Sequence, residues 1–219
     1  MKEVKDVRPT PYPLMPGFEW VNVDISDPKE LDDVYKLLYE NYVEDDEGTF
    51  RFDYSRDFLK WALTPPGFVK DWIFGVRVSS NRRLVGFITG IPVNLVLDGK
   101  EVRVSEINFL CVHKKIRAQR LAPVLIKEVT RRVNLAGIWQ AIYTAGRIIP
   151  TPFCDSRYFH RSLNPKKLIE IGFCGSPKRS SLSTQIKLYM LPEKPIHNFR
   201  PIKEPDVKQV RTLLNDYLK

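Results

Sequence analysis

Residues Glu106-Ile-Asn108-Phe109-Leu110-Cys111-Val112-His113 form an apolar run that passes directly into the cationic stretch Lys114-Lys115-Ile116-Arg117-Ala118-Gln119-Arg120, after which helical spacing opens. A strand ending beside the start of a helix leaves backbone N–H groups without partners. Adjacent cations make such a corner attractive to phosphate or to a developing oxyanion. Lys114, Lys115, Arg117 and Arg120 are therefore the candidate phosphate contacts, although cations ahead of a helix are often only solvated. Cys111 and His113, two apart on a strand, share a face, which is open to a thiol nucleophile with an imidazole base. No carboxylate is evident to orient that imidazole, and a free cysteine commonly serves as core packing. Upstream, the acidic run Glu44 to Glu47 beside Phe50 and Phe52 suits a cationic peptide end, with Gly48 letting the loop move as a lid. The plainer readings there are a solvated loop and a half-buried strand.

The elements around this corner are legible in part. Asp27 is placed to cap a helix with Pro28 at its first position, and Leu31, Val34, Tyr35, Leu38 and Tyr42 then recur at helical spacing, predicting a helix over about 28–43. Arg56 to Leu63 reads as a short helix stopped by Pro65-Pro66-Gly67. Strand patterns come next over 71–79 and 83–98, around the turn Ser80-Asn81-Arg82. Asp98-Gly99 then gives a strong hairpin signal into a strand over 101–112. From Ala118 to Ala136 the residues Leu121, Leu125, Val129 and Val133 mark an amphipathic helix that Gly137 stops. A short strand over 140–144, a short helix over 165–171 and a last strand over 184–191 complete the pattern. Glu204-Pro205 to Leu218 echoes Asp27-Pro28 to Tyr42, both Pro-led helices with paired leucines and a terminal tyrosine, so a second copy of the domain is expected to begin here. An ordinary C-terminal helix is the alternative.

With 219 residues, 43% of them hydrophobic, the chain can bury a sizeable core. Its three cysteines, Cys111, Cys154 and Cys174, have no paired spacing, so neither a disulfide framework nor a metal site is suggested, and a reducing, cytoplasmic setting is expected. The first residues hold no secretory block, and the longest apolar run, Gly86 to Leu97, is shorter than the roughly 20 residues a membrane span needs. The net charge of +9 is uneven: residues 1–60 carry 8 Lys/Arg against 15 Asp/Glu, and the rest carries 27 against 11. The cations sit within amphipathic patterns and not in a low-complexity arm, which favours an anionic small-molecule site over nucleic acid.

The order helix, hairpin strands, strand, cationic turn, long helix, strand resembles the GCN5-related acyltransferase fold. This is an α/β class with a mixed, mainly antiparallel sheet flanked by helices, in which acyl-CoA lies where two neighbouring strands splay. That family's pyrophosphate turn, Gln/Arg-x-x-Gly-x-Gly/Ala, fits Arg117-Ala-Gln-Arg-Leu-Ala122 except for Arg120 in the glycine position. More specifically, Asn41-Tyr-Val-Glu-Asp-Asp46, Phe50-Arg-Phe-Asp-Tyr54, Glu106 to Lys114, Tyr143-Thr-Ala-Gly146 and His160-Arg-Ser-Leu-Asn-Pro165 stand in the order found in eukaryotic glycylpeptide N-myristoyltransferases. The chain resembles that family from about Tyr12 to Lys219.

The resemblance implies an enzyme that moves myristoyl from myristoyl-CoA to the N-terminal glycine of proteins by direct attack on the thioester, without a metal. It implies that the backbone N–H groups of Phe109 and Leu110 form the oxyanion hole, with Asn108 and Thr144 placing the amine. It further implies that Cys111, Val112, Ala118, Leu121 and Ala122 run along the cofactor. For the peptide groove it nominates Tyr42, Asp46, Phe50, Phe52, Asn108, Thr144, Gly146, Tyr158, His160 and Phe173. An acyl-CoA-binding domain over 1–198 and the start of a truncated repeat over 199–219 are expected. The family's upstream cover and most of its second half are absent, including the Lys-Phe-Gly-x-Gly-Asp-Gly motif and the chain-terminal carboxylate expected to act as base. These residues alone are therefore expected to be inactive unless a C-terminal half associates. An N-acetyltransferase using acetyl-CoA, or a non-catalytic peptide- or nucleic-acid-binding module, are the alternatives.

Overall fold

Five strands form one sheet in the order of the sequence: β1 (Phe18–Asn22), β2 (Ile73–Val78), β3 (Leu84–Leu97), β4 (Lys100–Val112) and β5 (Ala141–Ile142). The first four pair antiparallel, and β5 joins β4 in parallel through two residue pairs. The computed structural model describes residues 3–44, 48–146, 149–176, 180–191 and 198–218. Two compact units divide between Phe153 and Cys154.

In the first unit, helices α1 (Pro28–Asn41) and α2 (Arg56–Leu63) cover one face of the sheet. Helix α1 opens as its sequence dictates, with Asp27 Oδ1 accepting from Lys29 N–H at 2.8 Å and Pro28 at the first position. Leu31, Val34, Leu37 and Leu38 of α1 and Leu59 and Leu63 of α2 pack with Phe87, Phe109 and Cys111 of the sheet. Helix α3 (Leu121–Leu135) covers the other face, where Leu121, Leu125, Val129 and Val133 meet Phe74, Val76, Ile88 and Val112. Each such fully buried side chain is worth about 1.5–3 kcal/mol. At Gly86 a Cβ would stand 2.9 Å from Leu121 Cδ2, so a side chain here would push on the leucine that packs the start of α3 against the sheet.

The hairpin between β3 and β4 turns through Asp98 and Gly99, both at positive φ (50° and 72°), as the Asp-Gly pair predicts. Residues 3–17 run over α3, where fully buried Glu128, held by Arg131 and Arg132, accepts from Tyr12 N–H at 3.1 Å. Phe18–Asn22 anchors the opening segment as an added edge strand against β2.

The second unit carries α4 (Pro165–Glu170), α5 (Leu182–Tyr189) and α6 (Val207–Tyr217). The strand expected over 184–191 is a helix instead. Ser181 Oγ accepts from Thr184 N–H at 3.1 Å and starts it, and Leu182, Ile186 and Tyr189 fit a helical face as well as an alternating one. Among the described residues no helix is long and apolar enough to cross a membrane.

Candidate functional site

The corner predicted from sequence is where β4 loses its second neighbour. Ser105 N–H still donates to Gln140 O at 3.0 Å, but pairing with β5 ends at Glu106 and Ile142. On the other side β4 continues along β3 with a change of register: Thr89 faces Asn108, whereas Phe87 faces Cys111. Two residues, Phe109 and Leu110, thus oppose one, Ile88, in a bulge where Phe109 adopts a left-handed φ of 54°. Strand alternation on either side of the bulge sets the direction of its amides. Ser105 directs its N–H towards β5 and His113 directs its own to Val85 O on β3 at 2.8 Å. Counting inward from both ends, Phe109 and Leu110 both turn their N–H groups away from β3.

A left-handed conformation is costly for an aromatic residue and survives only where the surroundings enforce it. Here the Phe109 ring is buried, edge-on to Tyr54 (centroids 5.6 Å apart) and tilted against Tyr42 (6.0 Å). Thr89 Oγ1, fully buried, donates to Asn108 O at 3.1 Å and holds the other side of the bulge. The Phe109 N–H donates to Asn108 Oδ1 at 2.8 Å. Burial pushes the Tyr42 phenol up, opposed in part by the Phe109 N–H that faces its oxygen.

Three cavities meet at this bulge. One of about 470 Å³ lies between β4, α3 and the segment after β5; Asn108, Phe109 and Leu110 face it from one side and Trp139, Tyr143 and Thr144 from the other, over a floor of Ile126, Val129 and Val133. A second, about 370 Å³, shares Tyr42 and Leu110 with the first and is lined by Cys111, Val112, Arg117 and Ala122. A third, about 610 Å³, lies beside α2 and shares Asn108 and Phe109 with the first; Phe58, Trp61 and Glu106 line it.

The cationic stretch forms a 3-10 turn, Lys114–Gln119, so α3 starts at Leu121 and not at Ala118. Arg120, in the place where the acyltransferase pattern has glycine, is left-handed (φ 55°, ψ 36°), and its side chain does not cap α3. The four cations are not equivalent. Arg117 is spent on the chain itself, donating to Asn41 O at 2.5 Å and to Val112 O at 3.3 Å. Lys114 Nζ pairs with Glu44 at 2.6 Å, a contact that holds the Glu44 carboxyl below its ordinary range. Lys115 and Arg120 are exposed, as is Ala118. The Leu121 side chain belongs to the core.

Asn41, not singled out from sequence as a site residue, organises this turn: buried at the end of α1, it accepts Lys114 N–H on Oδ1 at 3.0 Å. Its place at the head of the Asn41–Asp46 motif was the available signal. The thiol reading gains nothing. Cys111 Sγ points at Leu37 O (3.9 Å) with burial raising the thiol to about 12, and His113 Nδ1 accepts from Lys115 N–H at 3.2 Å. Phe52 is largely exposed and stacks on Tyr54 (5.8 Å), while its N–H donates to Val43 O at 3.1 Å beside an isolated antiparallel bridge between Glu44 and Arg51, so the segment around Phe50 and Phe52 pairs at one bridge and does not extend into a strand. Phe50 is half-buried and Gly146 exposed. Tyr158, His160 and Phe173 belong to the second unit, where Tyr158 and His160 stack at 6.4 Å. Asp46 lies outside the described residues.

Known proteins that resemble this chain divide it in nearly the same place. Residues 1–156 match the family model described as myristoyl-CoA:protein N-myristoyltransferase, N-terminal domain, and residues 170–219 match that of its C-terminal domain. The chain is 54% identical over 217 residues to a glycylpeptide N-tetradecanoyltransferase of Dictyostelium discoideum, covering 99% of this chain and 52% of the relative. It is 52% identical over 219 residues to one of Drosophila melanogaster, covering all of this chain and 46% of the relative. Among solved structures it is similar to Saccharomyces cerevisiae N-myristoyltransferase with bound myristoyl-CoA, at TM-score 0.89 and 48% identity over 99% of this chain and 52% of that one. The sheet, flanking helices and splayed β4–β5 pair are thus of the GCN5-related acyltransferase type. The chain spans about half the length of the curated relatives it matches.

Proposed function

The chain belongs to the myristoyl-CoA:protein N-myristoyltransferase family, and we propose on that premise that it supplies the acyl-CoA site and much of the peptide groove of an enzyme that moves myristoyl onto N-terminal glycine. The observation that carries this reading is the pair of adjacent N–H groups at Phe109 and Leu110, both turned from β3 beside an apolar cavity of about 470 Å³, within the usual range for ligand pockets of roughly 300–1,000 Å³. In the proposed reaction the glycine amine attacks the thioester carbon and negative charge moves onto its oxygen. The C–S bond then breaks to release the coenzyme A thiol. The two N–H groups meet the charge as it develops; one such donor is worth about 3 kcal/mol in the transition state. The chain needs no nucleophile of its own.

Lys115 and Arg120, with the first backbone N–H groups of α3, are the contacts proposed for the coenzyme A phosphates, while Arg117 shapes their turn. Lys114 would have to exchange Glu44 for phosphate. The strip from Leu110 through Val112 to Ala122 suits the pantetheine arm. Asn108 and Thr144, which share a cavity with both N–H groups, suit the incoming amine. Tyr42, Phe50, Phe52 and Gly146 are the first unit's proposed contribution to the peptide groove; Asp46, Tyr158, His160 and Phe173 rest on the family resemblance alone. The amine must lose a proton, and the chain-terminal carboxylate that the family resemblance implies falls in the part of the relatives' second half that these 219 residues do not span. We read residues 199–219 as the opening of that half, a view supported by the C-terminal-domain match over residues 170–219 and by the leucine pair of α6, which follows the 3-10 turn holding Pro205.

Calorimetric titration tests the binding reading. The chain should take myristoyl-CoA much more tightly than acetyl-CoA, because the longer acyl group buries apolar surface worth about 0.8 kcal/mol per methylene at most. Affinity for both should fall as salt rises. Equal affinity for the two acyl chains would favour an acetyltransferase, and peptide or RNA binding without any acyl-CoA dependence would overturn the proposal.

A further inference from the structure

One of the two N–H groups at the bulge is already occupied. Phe109 N–H donates to Oδ1 of the preceding residue, Asn108, at 2.8 Å, in a left-handed turn that brings a side chain onto the next amide. The Asn108 backbone is held in that arrangement by buried Thr89, whose hydroxyl donates to Asn108 O at 3.1 Å, and the Phe109 ring is clamped by Tyr42 and Tyr54. The backbone of the bulge is therefore fixed, while the Asn108 carboxamide is the small, exposed group at the mouth shared by two cavities. An acyl oxygen that takes up this N–H must compete with that carboxamide oxygen.

We propose that Asn108 is a positioning residue that masks the Phe109 N–H, keeping the oxyanion donor paired inside an apolar cavity until a carbonyl oxygen displaces the carboxamide. The inference rests on the proposed acyl-CoA site and adds an exchange of acceptors to it. Its chemistry is general: a buried donor left alone is costly, whereas a swap of one neutral acceptor for another is nearly neutral. The mask thus stabilises the vacant bulge and weakens carbonyl binding by the strength of the bond it must give up.

The test compares myristoyl-CoA with its thioether, S-tetradecyl-CoA, which lacks only the carbonyl oxygen, on the 219-residue chain. Because the Tyr42 hydroxyl also faces this N–H, each Asn108 variant is measured with and without Tyr42→Phe. In Asn108→Ala the preference for acyl over alkyl ligand should rise by about threefold to tenfold, the worth of one neutral hydrogen bond. In the isosteric Asn108→Asp the carboxylate holds the N–H more firmly, so the preference should fall below the wild-type value. The Phe109 amide resonance should shift on adding myristoyl-CoA but much less with the thioether. An acyl-to-alkyl ratio unchanged in both variants, with both ligands binding, overturns the masking role and leaves the acyl-CoA site standing. Failure of either ligand to bind the wild-type chain overturns both.

Discussion

Cys111 is enclosed by Leu37, Phe87 and Phe109, and burial raises its thiol to about 12, so almost no thiolate exists near neutral pH. Cys111→Ala in a complete enzyme should keep most of kcat/KM while lowering stability by about 1 kcal/mol in urea titration. Complete loss of turnover with the fold intact would return the thiol to the mechanism. His113 plays a structural part instead, because its Nδ1 accepts the Lys115 N–H at the start of the cationic turn, which only the imidazole with a free Nδ1 lone pair can do. Burial, and then the Arg83 charge, lower its pKa; Glu40 opposes them, and Lys115 and Arg117 add smaller lowering effects. Between that lowered value and the unfolded value of about 6.5, the folded chain binds fewer protons than the unfolded one. The stability contributed is full above the unfolded value and is lost as pH falls towards the folded one. The urea midpoint should therefore drop more between pH 7 and pH 5 in the wild type than in His113→Asn, whose amide oxygen does not titrate. Equal drops would remove His113 from this role.

The joint between α1 and the cationic turn is where one element positions another. Asn41 donates to Leu37 O within α1 (3.0 Å), accepts from Lys114 N–H and offers its own carbonyl to Arg117. Removing the side chain in Asn41→Ala leaves the Lys114 N–H unpaired and loosens the turn. Coenzyme A affinity should fall about fivefold, the equivalent of one net hydrogen bond of about 1 kcal/mol. A calorimetric Kd unchanged from wild type would show that the turn holds its shape without Asn41. Elements whose signal is local were legible in the sequence: Asp27-Pro28 capped α1, and Asp98-Gly99 closed the β3–β4 hairpin. Those set by a distant partner were not. The edge strand Phe18–Asn22 depends on β2, and residues 184–191 alternate like a strand yet have a Ser181 cap and a helical face. In the site the same division holds. The family motifs pointed to Phe109 and Leu110, but the bulge that turns both N–H groups one way arises from a register mismatch with β3, which no run of residues on β4 alone can announce. The left-handed Arg120 was foreshadowed, since the acyltransferase pattern has glycine at that place.

On the scale of the whole molecule, the two units differ in how they treat apolar surface. In the first, α1 buries Leu31, Val34, Leu37 and Leu38; in the second, α6 repeats the leucine pair, with Pro205 in the 3-10 turn just before it, and buries none of its residues. Among the described residues of the second unit only Pro165 is buried, with Leu213 at 58% and Tyr217 at 78% exposure. An 11-residue helix is marginal in water unless tertiary packing supports it. By that reasoning, the second unit needs the remainder of its domain for stability, just as the proposed reaction needs that remainder for a base. We expect the 219-residue chain, with myristoyl-CoA and a glycine-ended peptide, to give no turnover above background. Adding the C-terminal half of a relative should restore transfer and slow hydrogen exchange across α6, while exchange in β2, β3 and α3 stays as slow as before. Turnover by the 219 residues alone, with chain ends verified by mass, would show that a base already lies within them; restored transfer without protection of α6 would place the contact between halves elsewhere.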